Sequence, residues 1–302
     1  MSSVIQVNRI YLIFNPVHFL VDSSDLFAIL SVSLAYGQAD NTGKIKVSYD
    51  YHFFDPRGIE KHHDFLLLAN RDKSMFYNNH TQWLDSTRCT KDGEAWYTQT
   101  GMVLMGQVMG KPREEAEAIL ESSGTGRPVT MYVVKEKEKF KIWDEVYHEY
   151  RKYSEDTEER NWNIVADSTK NILGYECILA ESDYHGRHWK AWFTPEIPVD
   201  VGPWKLLGLP GLIMEAVDST GLHHFTATGI ESSDTSFPKV YEPFDYEKTT
   251  RKEFLELCRY RYDNFQGMRD LHFGTDAPRV SQEKIDYETG KPGFDFLETD
   301  YR

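Results

Sequence analysis

Histidines and one arginine are the side chains whose spacing invites a chemical reading. His185 and His188 are three apart beside Asp183, His223 and His224 lie one strand further on, and His62 and His63 are adjacent. Imidazoles near a carboxylate are the ligand set for zinc. Residues three apart on a strand point to opposite faces, so His185 and His188 converge only if Gly186 kinks the chain. His223 and His224 face opposite ways for the same reason. The histidines therefore read as scattered strand and turn residues, and neither a metal nor a cofactor is expected.

Arg187 follows a glycine and stands near Trp189 and Trp192. Its planar fork suits either an ion pair with Glu196 or a clamp on an anionic ligand. The ion pair is the simpler expectation. The sequence holds no GxSxG elbow, HExxH helix, Walker loop or dinucleotide fingerprint. Cys177 would need a partnered base to act as a nucleophile, and on a strand it reads as a small buried hydrophobe. No catalytic residue is assigned, and the reading leans away from an enzyme.

Strands must position these groups. Ile45, Val47, Tyr49, Tyr51 and Phe53 alternate with polar residues, which predicts a strand with one wet face. Asp55-Pro56-Arg57-Gly58 predicts the turn that closes it. Residues 65–69 and 75–77 flank Asn70-Arg71-Asp72-Lys73 as a hairpin. Further strands are expected at 95–99, 129–134, 139–143, 162–166, 172–180, 188–193, 212–217 and 223–230. About ten short strands separated by turns predict a mainly β fold, an antiparallel sandwich or a curved half-barrel. A short helix is expected near 112–122, with Pro112 at its start. A second, amphipathic helix starts at Thr250, with Glu253 completing a capping box and Phe254, Leu257, Cys258 and Phe265 on one face. Residues 267–302 read as a polar C-terminal extension.

The composition of the 302 residues narrows the partners. A net charge of −14 without a basic stripe argues against nucleic acid. An aromatic share of 14% suits half-buried sheet surfaces. Three cysteines without a CxxC pair exclude a zinc knuckle and a disulfide-dense scaffold, and leave open which two, if any, would pair. Residues 26–36 form an apolar run of signal-peptide length, followed by Gly37-Gln38-Ala39. Cleavage before Asp40 is expected, although Asp22 and Asp25 make the preceding region irregular for a leader. The rest of the chain, residues 40–266, is expected to be one β-rich domain without a transmembrane span.

The most distinctive stretch runs from Trp162-Asn163-Ile164 through Thr169–Cys177 and Tyr184-His185-Gly186-Arg187. It continues through Ala191-Trp192-Phe193-Thr194 and Gly202-Pro203-Trp204-Lys205 to Gly208-Leu209-Pro210-Gly211-Leu212-Ile213. This series resembles the GLPGLI family. The resemblance implies an exported protein of Bacteroidota-type bacteria, in the periplasm or at the outer membrane, with no assigned activity. It marks Arg187, Trp192, Trp204, Leu209, Pro210, Gly211 and Leu212 as motif residues of unknown role. Tyr184-His185, Glu176 and Leu206-Leu207 depart from the usual residues of the family.

Physically, the motif is a connection rich in turn residues and apolar mass, Leu206, Leu207, Leu209, Leu212 and Ile213. Such a loop either folds under into the core or forms an exposed lip, and burial is the expectation. Three functions fit this sequence. The first is a binding or carrier protein for a small apolar ligand, with a cavity beneath the Thr250 helix. The second is an assembly protein that docks to an outer-membrane partner through an exposed GLPGLI loop. The third is a hydrolase or metal-dependent enzyme, with carboxylates and histidine converging in a cleft.

Overall fold

A computed structural model of the protein describes residues 43–54, 60–275 and 296–300. The expected leader, residues 1–39, the turn at Asp55–Gly58 and much of the polar extension, 276–295, lie outside the described residues.

The strands are β1 (Ile45–Phe54), β2 (Glu60–Ala69), β3 (Lys73–Tyr77), β4 (Tyr132–Glu136), β5 (Lys139–Val146) and β6 (Glu149–Asp156). They continue as β7 (Asn163–Ile172), β8 (Tyr175–Tyr184), β9 (Arg187–Thr194), β10 (Leu212–Asp218), β11 (His223–Ser232) and β12 (Glu247–Lys248). Together they make one 12-stranded sheet in the order β12-β6-β5-β4-β3-β2-β1-β11-β10-β9-β8-β7. One continuous open sheet, not two facing sheets, resolves the architectures left open by the sequence. The hairpins are antiparallel, and the short β12 pairs parallel with β6.

β1 is the central ladder. Ile45, Val47, Tyr49 and Tyr51 point into the main core, and the strand pairs with β2 on one side and β11 on the other. The same face receives Phe65, Leu67, Phe76, Val133, Phe140 and Ile142, then Cys177, Trp189, Phe193 and Phe225. A smaller cluster on the opposite face gathers Leu68, Met75, Tyr77, Tyr132, Val134 and Phe237. Period-two alternation therefore feeds two apolar layers at the β2–β4 hairpins.

Three helices separate β3 from β4: α1 (Asn79–Arg88), α2 (Lys91–Val108) and α3 (Arg113–Ser122). The strand expected at 95–99 lies inside α2. Trp96, Tyr97 and Thr98 favour strands locally, but Thr90 caps the Gly93 amide at 3.0 Å and Asp92 and Glu94 sit in the positive first turn. Capping decides the segment. α1 is tied to the sheet by buried Asp85, which accepts from Arg127 and from the Tyr132 hydroxyl at 2.9 Å each.

The expected capping box forms at α4 (Arg251–Asp263), where Thr250 and Glu253 satisfy each other's amides. Phe254, Leu255 and Cys258 face the core. The helix stops before Phe265, contrary to the single helix read from the pattern. Asn264 leaves helical geometry at φ −143 and accepts the Gly267 amide at 2.9 Å, starting α5 (Phe265–Phe273). An Asn that caps α5 in this geometry cannot also continue α4. No helix among the described residues is long and apolar enough to cross a membrane.

Candidate functional site

β8 and β9 join through a two-residue turn in which His185 and Gly186 have φ of 51 and 79, the left-handed pair that matches strand twist. The turn sends His185 inward, and His188 outward to Asp183, at 2.8 Å. The two rings do not converge. Arg187, which starts β9, is buried and pairs with Asp218 Oδ2 at 2.7 Å. This replaces the expected pair with Glu196, whose carboxylate instead accepts the Glu176 amide at 3.0 Å. Asp218 lies on β10, beside β9, and also accepts the His223 amide at 2.9 Å. Burial alone would raise the Asp218 carboxyl, but Thr220, the His223 amide and Arg187 hold it below its ordinary value. His223 Nδ1 shares a 2.7 Å hydrogen bond with the Tyr51 hydroxyl, so the arginine node reaches β1.

The loop 195–211 folds under. Leu206, Leu209, Leu212 and Ile213 are each at most 2% exposed, while Pro210 remains at the surface. Backbone bonds from Leu212 to the Ile197 carbonyl and from Ile213 to the Val201 carbonyl, 3.0 Å each, stitch it down. Trp162 donates to the Leu207 carbonyl at 2.8 Å, and Tyr49 to that of Ile213 at 2.6 Å. Positive φ falls on Gly208, at 96, and on Trp204, at 54. Gly211 is required for another reason: a Cβ there would lie 2.1 Å from the Thr194 carbonyl oxygen. Trp204 packs on Trp189 and Tyr184 inside, whereas Trp192 faces the other side of β9 under Lys170 Nζ, 3.4 Å from its ring.

The loop delivers Lys205, 1% exposed, to the far side of the bent sheet. Its ammonium lies 2.5 Å from Glu155 Oε1 on β6 and 2.6 Å from Glu298 Oε1. Arg251, at the start of α4, meets Glu298 Oε2 at 2.5 Å and also Asp300. His185 Nδ1 is 3.3 Å from Asp300. Burial pushes Glu155 up, but His185 and the Lys205 ammonium outweigh it and hold its carboxyl at about 2. The chain at 296–300 is held along its length: Arg187 donates to the Phe296 and Leu297 carbonyls, and the Thr299 amide to the His185 carbonyl at 2.9 Å.

Between these parts lies a cavity of about 520 Å³. Tyr51 and Phe53 of β1, Asp144 and Val146 of β5 and Tyr153 of β6 form the sheet side. Phe254, Leu255 and Cys258 cover it from α4; Trp204, Lys205 and Phe296–Glu298 close one end. Its size and mainly apolar lining, with a few polar groups, are those of a small-molecule site. Burial keeps Tyr51, Tyr153 and Cys258 protonated far above neutral pH. Asp144 is pushed up to about 6 by burial.

Of the motif residues marked in the sequence, Trp204 lines the cavity, and Arg187 secures the segment that closes it. Leu209, Gly211 and Leu212 support the loop from beneath, and Trp192 and Pro210 lie away from the cavity. Asp144, Glu155, Glu298 and Arg251 were not singled out. One signal was available: Asp144 stands in phase with inward-facing Phe140 and Ile142. All three cysteines are free thiols, Cys177 and Cys258 buried and Cys89 exposed. Ligand-type atoms gather within 4.8 Å of one another at His185, Glu298 and Asp300, and at His52, Glu60 and His62. Large exposed apolar side chains include Met102, Met105 and Met109, on and just after α2, and not the motif leucines.

A family profile described as a protein of unknown function (Porph_ging) matches residues 185–215, so the GLPGLI-type resemblance covers the β8–β9 turn, β9, the folded-under loop and the start of β10. No curated protein matches the sequence. Among solved structures, PNGF-II in a P21 crystal form is similar at 13% identity and TM-score 0.44, over 72% of this chain. The chain spans about a third of that protein's length, 33%. A LolA superfamily protein from Nitrosomonas europaea is similar at 7% identity and TM-score 0.24, covering 68% of this chain and 92% of that one. A putative outer membrane lipoprotein-sorting protein domain from Vibrio parahaemolyticus gives 6% identity, TM-score 0.26, and coverage of 68% and 91%.

Proposed function

We propose that this GLPGLI-type chain is a non-enzymatic binding or carrier protein of the cell envelope, and that it holds a small, largely apolar ligand beneath α4. The cavity of about 520 Å³ carries this reading. It lies where the amphipathic Thr250 helix covers the bent sheet, and its walls are mainly aromatic and aliphatic. Carboxylates and His185 do meet at one end, but Lys205 and Arg251 already neutralise them, which suits a structural closure better than a reactive centre. The burial of Leu209, Leu212 and Ile213 speaks against the loop as an apolar docking surface.

Native mass spectrometry of the protein purified gently from its host tests the reading. A bound small molecule that is lost in Leu255→Trp, a variant that fills the cavity, is the expected result. A protein that carries nothing, and that binds no apolar fluorescent dye unless unfolded, would overturn it. Envelope location rests on the apolar run at 26–36 and Gly37-Gln38-Ala39. N-terminal sequencing of the mature protein should begin at Asp40. A cytosolic chain that retains Ser2 would sink that part.

A further inference from the structure

We infer that the cavity selects a ligand bearing an amine or ammonium group on an apolar body, with Asp144 as the counter-ion. This rests on the binding reading above and names the chemistry of its ligand.

The inward face of β5 runs Phe140, Ile142, Asp144, Val146, so a carboxylate occupies a position where the alternation supplies apolar residues. Its oxygens are unequally used. Oδ1 accepts from Thr130 Oγ1 at 2.9 Å and from the Glu145 amide at 2.8 Å. Among the described residues, Oδ2 has no hydrogen-bond partner and Asp144 has no ion pair. Its neighbours differ: Asp85, Glu145, Glu155, Asp218 and Glu298 each have an arginine or lysine within 4.0 Å. A half-buried carboxylate that faces a cavity without a cation beside it is a candidate for recognition.

Asp144 also faces the cavity. Its charge opposes ionisation of Tyr51, Tyr153 and Cys258, three groups on the walls. Aromatic faces beside a carboxylate favour a cation twice over, through the ring quadrupole and through direct pairing. The other wall cations are engaged elsewhere. Lys205 is held by Glu155 and Glu298, and the Arg261 guanidinium lies 5.8 Å from the Tyr147 ring and 6.0 Å from that of Phe265. An anionic ligand would meet Asp144 as a like charge, and a neutral one would leave it without a counter-ion.

Calorimetric titration at pH 7 with octylamine, octanol and octanoate separates these cases. The wild-type protein should bind octylamine at least about tenfold more tightly than octanol, and octanoate most weakly. Asp144→Asn keeps the Oδ1 acceptor for Thr130 and Glu145. It should remove the amine preference while octanol binds no more weakly than to the wild type, which also reports an intact cavity. Equal binding of all three probes, a preference for octanoate, or an amine preference that survives Asp144→Asn would overturn the inference while leaving the cavity reading in place. Failure of every probe to bind would overturn both.

Discussion

Lys205 and Glu155 meet at 2.5 Å across the bend of the sheet, one from the loop between β9 and β10, the other from β6 near the opposite edge. The contact turns an open sheet into a closed cup at one end. The pair is buried, so its strength depends on both partners being present.

Lys205→Met should therefore destabilise the protein by up to about 3–5 kcal/mol, because Glu155 and Glu298 lose their ammonium and keep only Arg251 as a cation. Chemical denaturation measures the loss. A cost under about 1 kcal/mol, the range of a surface ion pair, would show that the cluster is open to water.

The folded-under loop makes a second prediction. Leu212→Ala should cost about 2–5 kcal/mol through the cavity it leaves. Gly211→Val should also destabilise, since its Cβ would press on the Thr194 backbone, which cannot rotate away. If Leu212→Ala shifted stability by less than about 0.5 kcal/mol, the loop would be a surface feature.

Asp144 has its carboxyl raised from 3.8 to about 6 by burial, so the folded state binds its proton more tightly than the unfolded state. Its contribution is complete below 3.8 and is lost as pH rises through about 6. Asp144→Asn should lack this slope. Urea midpoints of the two proteins, compared across that window, should diverge as pH rises, and a constant difference would refute the burial argument.

Glu155 behaves oppositely. Its carboxyl falls from 4.5 to about 2 on folding, giving stability that is present above 4.5 and lost as pH drops towards 2. Glu155→Gln should flatten the acid limb of the stability curve, read by thermal melts in acidic buffers. An unchanged acid limb would mean that Lys205 and His185 do not hold the charge.

Metal removal is the last test. Lys205 and Arg251 already compensate Glu298, and Arg251 meets Asp300, so a chelator should move the melting temperature by no more than about 2 °C. A larger fall would assign a metal to one of the two histidine–carboxylate groups.

The sequence alone determined the mainly β class, the hairpin at Asn70–Lys73, the helix capped by Thr250 and Glu253, and the inward fold of Leu209, Leu212 and Ile213. Each depends on local chemistry: alternation, side-chain capping, or apolar mass on a connection. Tertiary structure decided the partner of Arg187, because Asp218 becomes its neighbour only when β9 and β10 pair. Local caps, and not tertiary contacts, make 95–99 helical and divide α4 from α5, through Thr90 and Asn264. A cavity beneath the Thr250 helix was among the expectations, but the charged residues around it could not be read in advance. Asp144, Lys205, Glu155 and Glu298 belong to distant segments with no shared period, and only the bend of the sheet brings them to one end of the same space.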